Sequence, residues 1–468
     1  MVLEFRGSLD STHPRRGLSK GAAGGAATRG GLHSVPSTPT IEPRESRDDV
    51  TDAHARPSES RADLVIVGAG IGGAVLALLA AARQRRVVVL DRQVGGPADP
   101  DRGEILQPNG LKILDRLGLL DEFPERELSR VRQYHFHRIG GSRLVTIDYG
   151  TLPEPYNYTL VGHPRALMSA IRNRLSATPL IDVRWGETVV GLVRRRRRVI
   201  GVDTTSSGGR LRILAPVVVG SDGPASPVRA ALRIHTRTRR YADGYLTFVL
   251  PRPQGFGDDG RYYVGRREIL GVFPLGRERV YAFYLWPMRR RPELESRGLP
   301  ALKARLSTID PDLGRSLESL TSWEQVGWMP CLKVVPRRWV GHGTALLGDA
   351  AHALNPHVAQ GRNQALEDAV TLDAVLDSCF ATGNFSRQAL SLYERLRRPR
   401  AAVLQRLGDE MAFFWNAGNP IVTAIRDRVF ATLGRDEYLR TKMLSLVAGL
   451  SGRPYSIWDR VRALGRPW

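Results

Sequence analysis

The chain has 468 residues, enough for two or three domains around a sizeable core, and its 42% hydrophobic and 25% charged residues are ordinary for a soluble globular protein. The formal net charge of +22 is carried almost wholly by Arg beside abundant Ala, Gly and Pro, which reads as the bias of a GC-rich coding sequence and argues against a nucleic-acid partner. Two distant cysteines, Cys331 and Cys379, exclude a disulfide framework and give no zinc pattern, so a reducing, cytoplasmic setting is expected; no apolar run approaches the roughly 18 residues of a membrane span.

Residues 1–60 are rich in Gly, Ser, Thr, Pro and Arg and lack hydrophobic periodicity. They cannot bury enough apolar surface to offset their ordering entropy, and a disordered N-terminal extension is expected there, without the apolar core of a secretory signal. Order is expected from "ADLVIVGAGIGGAVLALLAAARQRRVVVLDR". Leu64–Val67 reads as a buried parallel strand, residues 71–83 as a helix, and Val87–Leu90 as a second strand running into Asp91 and Arg92. "GEILQPNGLKILDRLGLLDEF" reads as a loop and an amphipathic helix, and "PRALMSAIRNRL", within 164–176, as a helix with Pro at its start. The run "RRRRR" at 194–198 lies between "VVGLV" and "VIGV", the pattern of a hairpin tip with solvated charges. "VVVGSDGPASPVRAAL" at 217–232 predicts a buried strand, a tight turn and a helix.

From about 236 the character changes. "YLTFVLP", "ILGVFPLG" and "RVYAFYLWP" are aromatic, strand-like and punctuated by Gly and Pro, which predicts an antiparallel sheet forming a second lobe. "TALLGD" at 344–349 returns to a buried parallel strand and leads into "GDAAHALNPHVAQGRNQALEDA"; beyond about 365 the chain reads as helical. No internal repeat is present.

Three stretches carry chemistry. In the first, a G-x-G-x-x-G after a strand, Gly68 allows the tight turn, Gly70 lets a pyrophosphate approach the backbone, and Gly73 lets the helix pack close to the strand. The helix N-terminus supplies free N–H groups and partial positive charge, and Asp91 is placed to accept from a ribose. The second, "GSDGPASPVR", contains Asp222 and Gly223 with Ser226 and Arg229; the third contains Gly348, Asp349, His352, Pro356, Gln360, Gly361 and Asn363. His352 reads either as a catalytic base or as a partner of its own motif's backbone, and His163 and His357 are weaker candidates. Nothing in the His, Asp and Glu spacing suggests a metal site, and Ser221 and Ser226 lack a nucleophile elbow.

With these three stretches in this order, residues 62–400 resemble the class A FAD-dependent monooxygenases, the aromatic-ring and quinone-pathway hydroxylases with a p-hydroxybenzoate-hydroxylase-like fold. The resemblance implies FAD as cofactor, with Gly68, Gly70, Gly73, Asp91 and the adjoining Arg92 at its ADP part. Arg102 and Gln107, in "DRGEILQP", match a segment near the pyrophosphate, and Arg165, in "HPRALMSAI", a second cofactor-contacting position. Asp222 and Gly223 match a turn serving both FAD and the nicotinamide donor. Gly348 and Asp349 match the segment binding the ribityl chain, while Pro356, Gly361 and Asn363 match the turn lying against the flavin ring. NADPH or NADH would be the electron donor. No catalytic side chain is assigned, because the cofactor supplies the hard chemistry; Pro356 and His352 are the leading candidates.

The expected architecture is therefore α/β: a GxGxxG FAD-binding Rossmann-like domain with an inserted antiparallel β-sheet substrate domain and a helical C-terminus. FAD-binding segments are placed at 61–235 and 336–380, the substrate sheet at 236–335 and the helical region at 381–468. The expected reaction uses NAD(P)H and O2 to hydroxylate or epoxidise a small apolar, aromatic, quinone-like or olefinic substrate. Phe248, Tyr263, Phe273, Phe283, Tyr284 and Trp286 would suit such a ligand where they face the flavin. A prenyl-chain reductase on the same scaffold is the rival, and the absence of a "WxWxIP" segment disfavours a halogenase. The stretch "MAFFWNAGNPIVTAIRDRVFATLGRDEYLRTKMLSLVAGL" resembles, more loosely, the tail of ubiquinone-biosynthesis hydroxylases and squalene epoxidase, which fits a peripheral membrane contact. No protein partner is expected.

Overall fold

The computed structural model describes residues 58–94 and 103–465. The expected disordered extension lies outside the described residues up to 57, but Ser58–Arg61 is a strand, paired in parallel with Gly209–Leu214. Arg102 also lies outside the described residues.

A six-stranded sheet forms the centre, in the order Val340–Gly341, Thr344–Leu346, Val217–Gly220, Leu64–Val67, Val87–Asp91 and Ile181–Trp185. Four of its five pairings are parallel, the exception being the Val340–Gly341 edge, and Leu64–Val67 and Val217–Gly220 are buried along their whole length. Continuous apolar runs are what a parallel sheet covered on both faces requires. Helix Ile71–Ala82 packs between this sheet and the 22-residue helix Gly361–Thr382, so it is apolar nearly all round. Pro164 and Gly383 mark a helix start and a helix stop: Pro164–Ser176 begins with its Pro, and Gly383 closes Gly361–Thr382 in the left-handed conformation.

The arginine-rich run forms a hairpin between Thr188–Arg195 and Arg198–Ser206. Its flanks are not simply solvated: Arg194 donates to the Ala231 carbonyl, and Arg198 donates to the Pro216 carbonyl and lies over the Phe385 ring.

The second sheet has seven strands, ordered Gly327–Pro336, Thr236–Pro251, Arg279–Pro287, Ile269–Leu275, Gly260–Val264, Gln133–Arg138 and Arg143–Asp148. It takes its last two strands from ahead of the 236–335 span, and the Gly260–Val264 pairing with Gln133–Arg138 is parallel, so the sheet is mixed. Side-chain alternation gives it two apolar faces. One packs on helix Arg291–Ile309 through Leu246, Phe248 and Tyr284. The other, with Tyr134, Tyr245, Phe273 and Tyr281, is covered by the C-terminal helices through Phe430, Leu433, Leu439 and Leu444.

Candidate functional site

A cleft of about 700 Å³ opens where the central sheet, the helix Gly361–Thr382 and the seven-stranded sheet meet. At its first wall the strand Leu64–Val67 ends in Gly68, with φ +101°; a Cβ there would lie 2.3 Å from the Ser221 carbonyl oxygen, so only glycine fits. Gly70 is the opposite case. Nothing lies within 4 Å of where its Cβ would be, and its backbone faces the open cleft. Helix Ile71–Ala82 then starts with no side-chain cap and no acid in its first turn, which leaves N–H groups and partial positive charge at the cleft. Gly73 sits against the Gly68 carbonyl, where any side chain would hold the helix off the strand. Asp91 also lines the cleft, and its carboxylate accepts from the N–H of Ala69 at 2.9 Å and of Gln93 at 2.8 Å. Arg92 is exposed beside it, and Gln93 rather than Arg92 lines the wall.

Ser221, Gly223 and Pro224 form the second wall. The Asp222 carboxylate turns inward instead, accepting from the Val228 N–H at 2.8 Å to start the short helix Pro227–Ala231, and burial pushes its pKa above the usual carboxylate range. Arg229, singled out with Ser226 in the same motif, ties this turn to the next one. Its guanidinium donates to the Ala350 carbonyl at 2.7 Å and to the Pro224 carbonyl at 2.6 Å.

The third wall holds Gly348, the exposed Asp349, Pro356, Gln360, Gly361 and Arg362. Helix Gly361–Thr382 also begins with no side-chain cap and no acid in its first turn, presenting a second electropositive end to the same space. Arg362 is paired with Glu104 at 2.6 Å, and both line the cleft.

Several expected residues lie elsewhere. His352 does not line the cleft: its Nε2 is 2.5 Å from Asp368, its ring packs on Trp339, and it is 2% exposed. Asp368 in turn accepts from the Gly348 N–H at 3.1 Å and from Arg397 at 2.7 Å. Burial works against that carboxylate, but His352 and Arg397 outweigh it and hold its pKa well below the usual range. His352 thus supports the Gly348 turn from beneath, through a carboxylate rather than through its own backbone. Gln107 and Asn363 are buried and engaged with each other's loops. The Gln107 N–H donates to Asn363 Oδ1 at 3.0 Å, Tyr149 donates to Gln107 Oε1, and Asn363 Nδ2 donates to the Ala359 carbonyl.

Arg165 faces a separate cavity of about 580 Å³ with His163, Asn173, Glu122, Glu127 and Arg279. That helix meets the cleft wall further along, at Met168 and at Arg172, two turns on, whose guanidinium lies over the Trp185 ring. None of the six expected aromatics lines the cleft either. Phe248, Tyr263, Tyr284 and Trp286 pack toward helix Arg291–Ile309, while Phe273 and Phe283 sit in the cluster on the opposite face. The sheet instead offers Thr247, Trp328, Met329 and Pro330 to the cleft.

The donor set fits a dinucleotide carrying a flat ring. Open N–H groups at Gly70–Ile71 suit a pyrophosphate, Asp91 and Asp349 suit sugar-type hydroxyls, and an apolar wall of Pro356, Trp328 and Met329 suits a ring. Among the described residues no group of three or more His, Cys, Asp and Glu is placed to hold a metal ion.

A family profile described as "FAD binding domain" matches residues 61–407. The chain is 28% identical over 415 residues to the 6-methylpretetramide 4-monooxygenase of Streptomyces rimosus, covering 85% of this chain and 95% of that protein. It is 24% identical to squalene epoxidase 5 of Arabidopsis thaliana, covering 84% and 78%. Among solved structures, the p-nitrophenol 4-monooxygenase PnpA of Pseudomonas putida DLL-E4 superposes with a TM-score of 0.71 at 20% identity, over 85% of this chain and 100% of that one. PqsL of Pseudomonas aeruginosa, solved with 2-aminobenzoylacetate, gives 0.70 at 24% identity, over 78% and 99%.

Proposed function

The chain belongs to the FAD binding domain family and is an FAD-dependent monooxygenase using NAD(P)H, and on that premise we propose that it inserts one oxygen atom from O2 into a flat, apolar, aromatic or olefinic substrate held against the Thr247–Trp328–Met329 wall. One observation carries this reading: the uncapped helix start at Gly70–Ile71, the Asp349 carboxylate and the Gln360–Gly361 turn all open on a single cleft. Bound FAD supplies the redox and oxygen chemistry. The chain's own residues hold, orient and shield it. Gly70 and the first turn of helix Ile71–Ala82 take the pyrophosphate, with Arg172 as a further cation; Asp91 and Asp349 accept from hydroxyls. The start of helix Gly361–Thr382 stabilises negative charge at the ring end, and Pro356, Trp328 and Met329 exclude water. The relatives' names point to polycyclic aromatic and terpenoid substrates. The test is NAD(P)H consumption by FAD-loaded protein across phenols, quinones, quinolones, polycyclic aromatics and polyenes; a protein that binds FAD yet is stimulated by none contradicts the substrate reading.

A second reading concerns location. Among the described residues no helix is long and apolar enough to cross a membrane. Helix Ile457–Ala463 and the residue after it carry Ile457, Trp458, Val461 and Leu464 exposed on one arc, with Trp458 77% exposed. Arg460 and Arg462 flank that arc on either side. Both are paired within the protein, Arg460 with Glu410 and Arg462 with Asp436, so it is the exposed apolar arc that suits the interfacial region of a bilayer, and an enzyme resting on such a surface would meet apolar substrate there.

A further inference from the structure

Beside the cleft, but not on its lining, two polar side chains from different parts of the fold meet. The hydroxyl of Tyr245 is hydrogen-bonded to Nδ1 of His357, with the rings edge to face at 5.5 Å. Tyr245 is 3% exposed, and the half-buried His357 packs against Tyr245, Trp415 and Asn416. Cleft-lining residues surround the pair. Thr247 lies two residues along the strand on the face Tyr245 uses, Met329 is its cross-strand partner, and Pro356 precedes His357.

Burial pushes the His357 pKa down to about 4 and the Tyr245 pKa well above its ordinary value. Both groups are neutral near pH 7, and the imidazole is a poor proton acceptor. The pair is therefore unsuited to removing a substrate proton and well suited to holding two elements together. The turn it holds needs holding. Ala359, two residues after His357, adopts φ 48° and ψ 36°, a left-handed conformation that is unfavourable for a non-glycine residue and persists only where neighbours enforce it.

We propose that the Tyr245–His357 hydrogen bond is a latch between the seven-stranded sheet and the turn Pro356–Ala359, and that it sets where Pro356 and Ala359 stand on the wall of the cleft. Both are positioning residues. The proposal rests on the reading that this cleft takes FAD.

The experiment compares FAD affinity, the visible spectrum of bound FAD and the melting of the apo form in wild type, Tyr245→Phe, His357→Leu, His357→Asn and the Tyr245→Phe/His357→Leu double variant. The Asn side chain places a polar atom where Nδ1 stands. Tyr245→Phe and His357→Leu should each weaken FAD binding on the order of five-fold and shift the flavin bands, with the apo form still folded. The double variant should be no worse than the worse single variant, and His357→Asn should bind close to wild type. Wild-type affinity and spectrum in Tyr245→Phe, additive losses in the double variant, or an Asn variant as weak as the Leu variant would each overturn the latch. Tyr245→Phe and His357→Asn carry the test if the Leu variants do not fold. Wild-type protein that takes up no FAD would sink the reading of the cleft and the latch with it, whereas FAD-binding wild type with unaltered variants sinks the latch alone.

Discussion

Asp349 stands exposed in the cleft wall at the start of a turn whose other carboxylate partner, Asp368, is buried behind it. Removing a carboxylate that accepts from a ligand hydroxyl costs about 1.5–3 kcal/mol, so Asp349→Ala should weaken FAD roughly ten- to hundred-fold and yield largely colourless protein, read from the ratio of flavin to protein absorbance. The two arginines of helix Pro164–Ser176 should separate cleanly. Arg172→Met should raise the FAD dissociation constant several-fold, while Arg165→Met should leave it unchanged, because Arg165 opens on the other cavity. His357 sets a pH dependence. Its folded pKa, about 4, lies below the unfolded value of 6.5, so between these pH values the unfolded chain binds the extra proton. Stability should be flat above pH 6.5 on this account and fall by up to about 3 kcal/mol towards pH 4. In denaturant titrations His357→Asn should lack that component.

Among the elements, the local ones were legible. Helix Pro164–Ser176 and strand Leu64–Val67 fall where Pro placement and the apolar run put them, because each signal acts within a few residues. The glycine fingerprint was readable for the same reason. What the residues alone could not give was which face of an element meets the cleft. Phe248 and Thr247 are neighbours on one strand, and it is the packing of helix Arg291–Ile309 on one face that turns Phe248 into core and leaves Thr247 at the site. Arg165 and Arg172 share a helical stripe seven residues apart, and tertiary placement alone assigns them to different cavities. Nor does any local pattern announce Arg229 as the link between two motifs more than a hundred residues apart. Arg229→Met would leave the Pro224 and Ala350 carbonyls without that donor; the apo protein should lose about 2–3 kcal/mol, read as a lower thermal midpoint, and bind FAD more weakly.

Over the whole molecule, three stretches far apart in sequence supply one cleft, and the ends of the chain matter unequally. Deleting residues 1–57 should leave flavin content and melting unchanged, whereas deletion through Arg61 removes an edge strand paired with Gly209–Leu214 and should lower the midpoint by several degrees. Flotation with phosphatidylserine vesicles at low salt should carry the protein, and Ile457→Ser/Trp458→Ser should abolish it; co-sedimentation unchanged in that variant would place the contact elsewhere. The opposite terminus also touches the centre. The Gln360 amide donates to the carbonyl of Val447, the Asn109 N–H to that of Ala448, and Arg400 to that of Gly449. The last helices are thereby moored to the Gln360–Gly361 bend of the cleft wall. Anyone shortening this protein from its carboxyl end, or splicing a reporter near residue 448, would be pulling on the colour of the enzyme and not on a loose appendage.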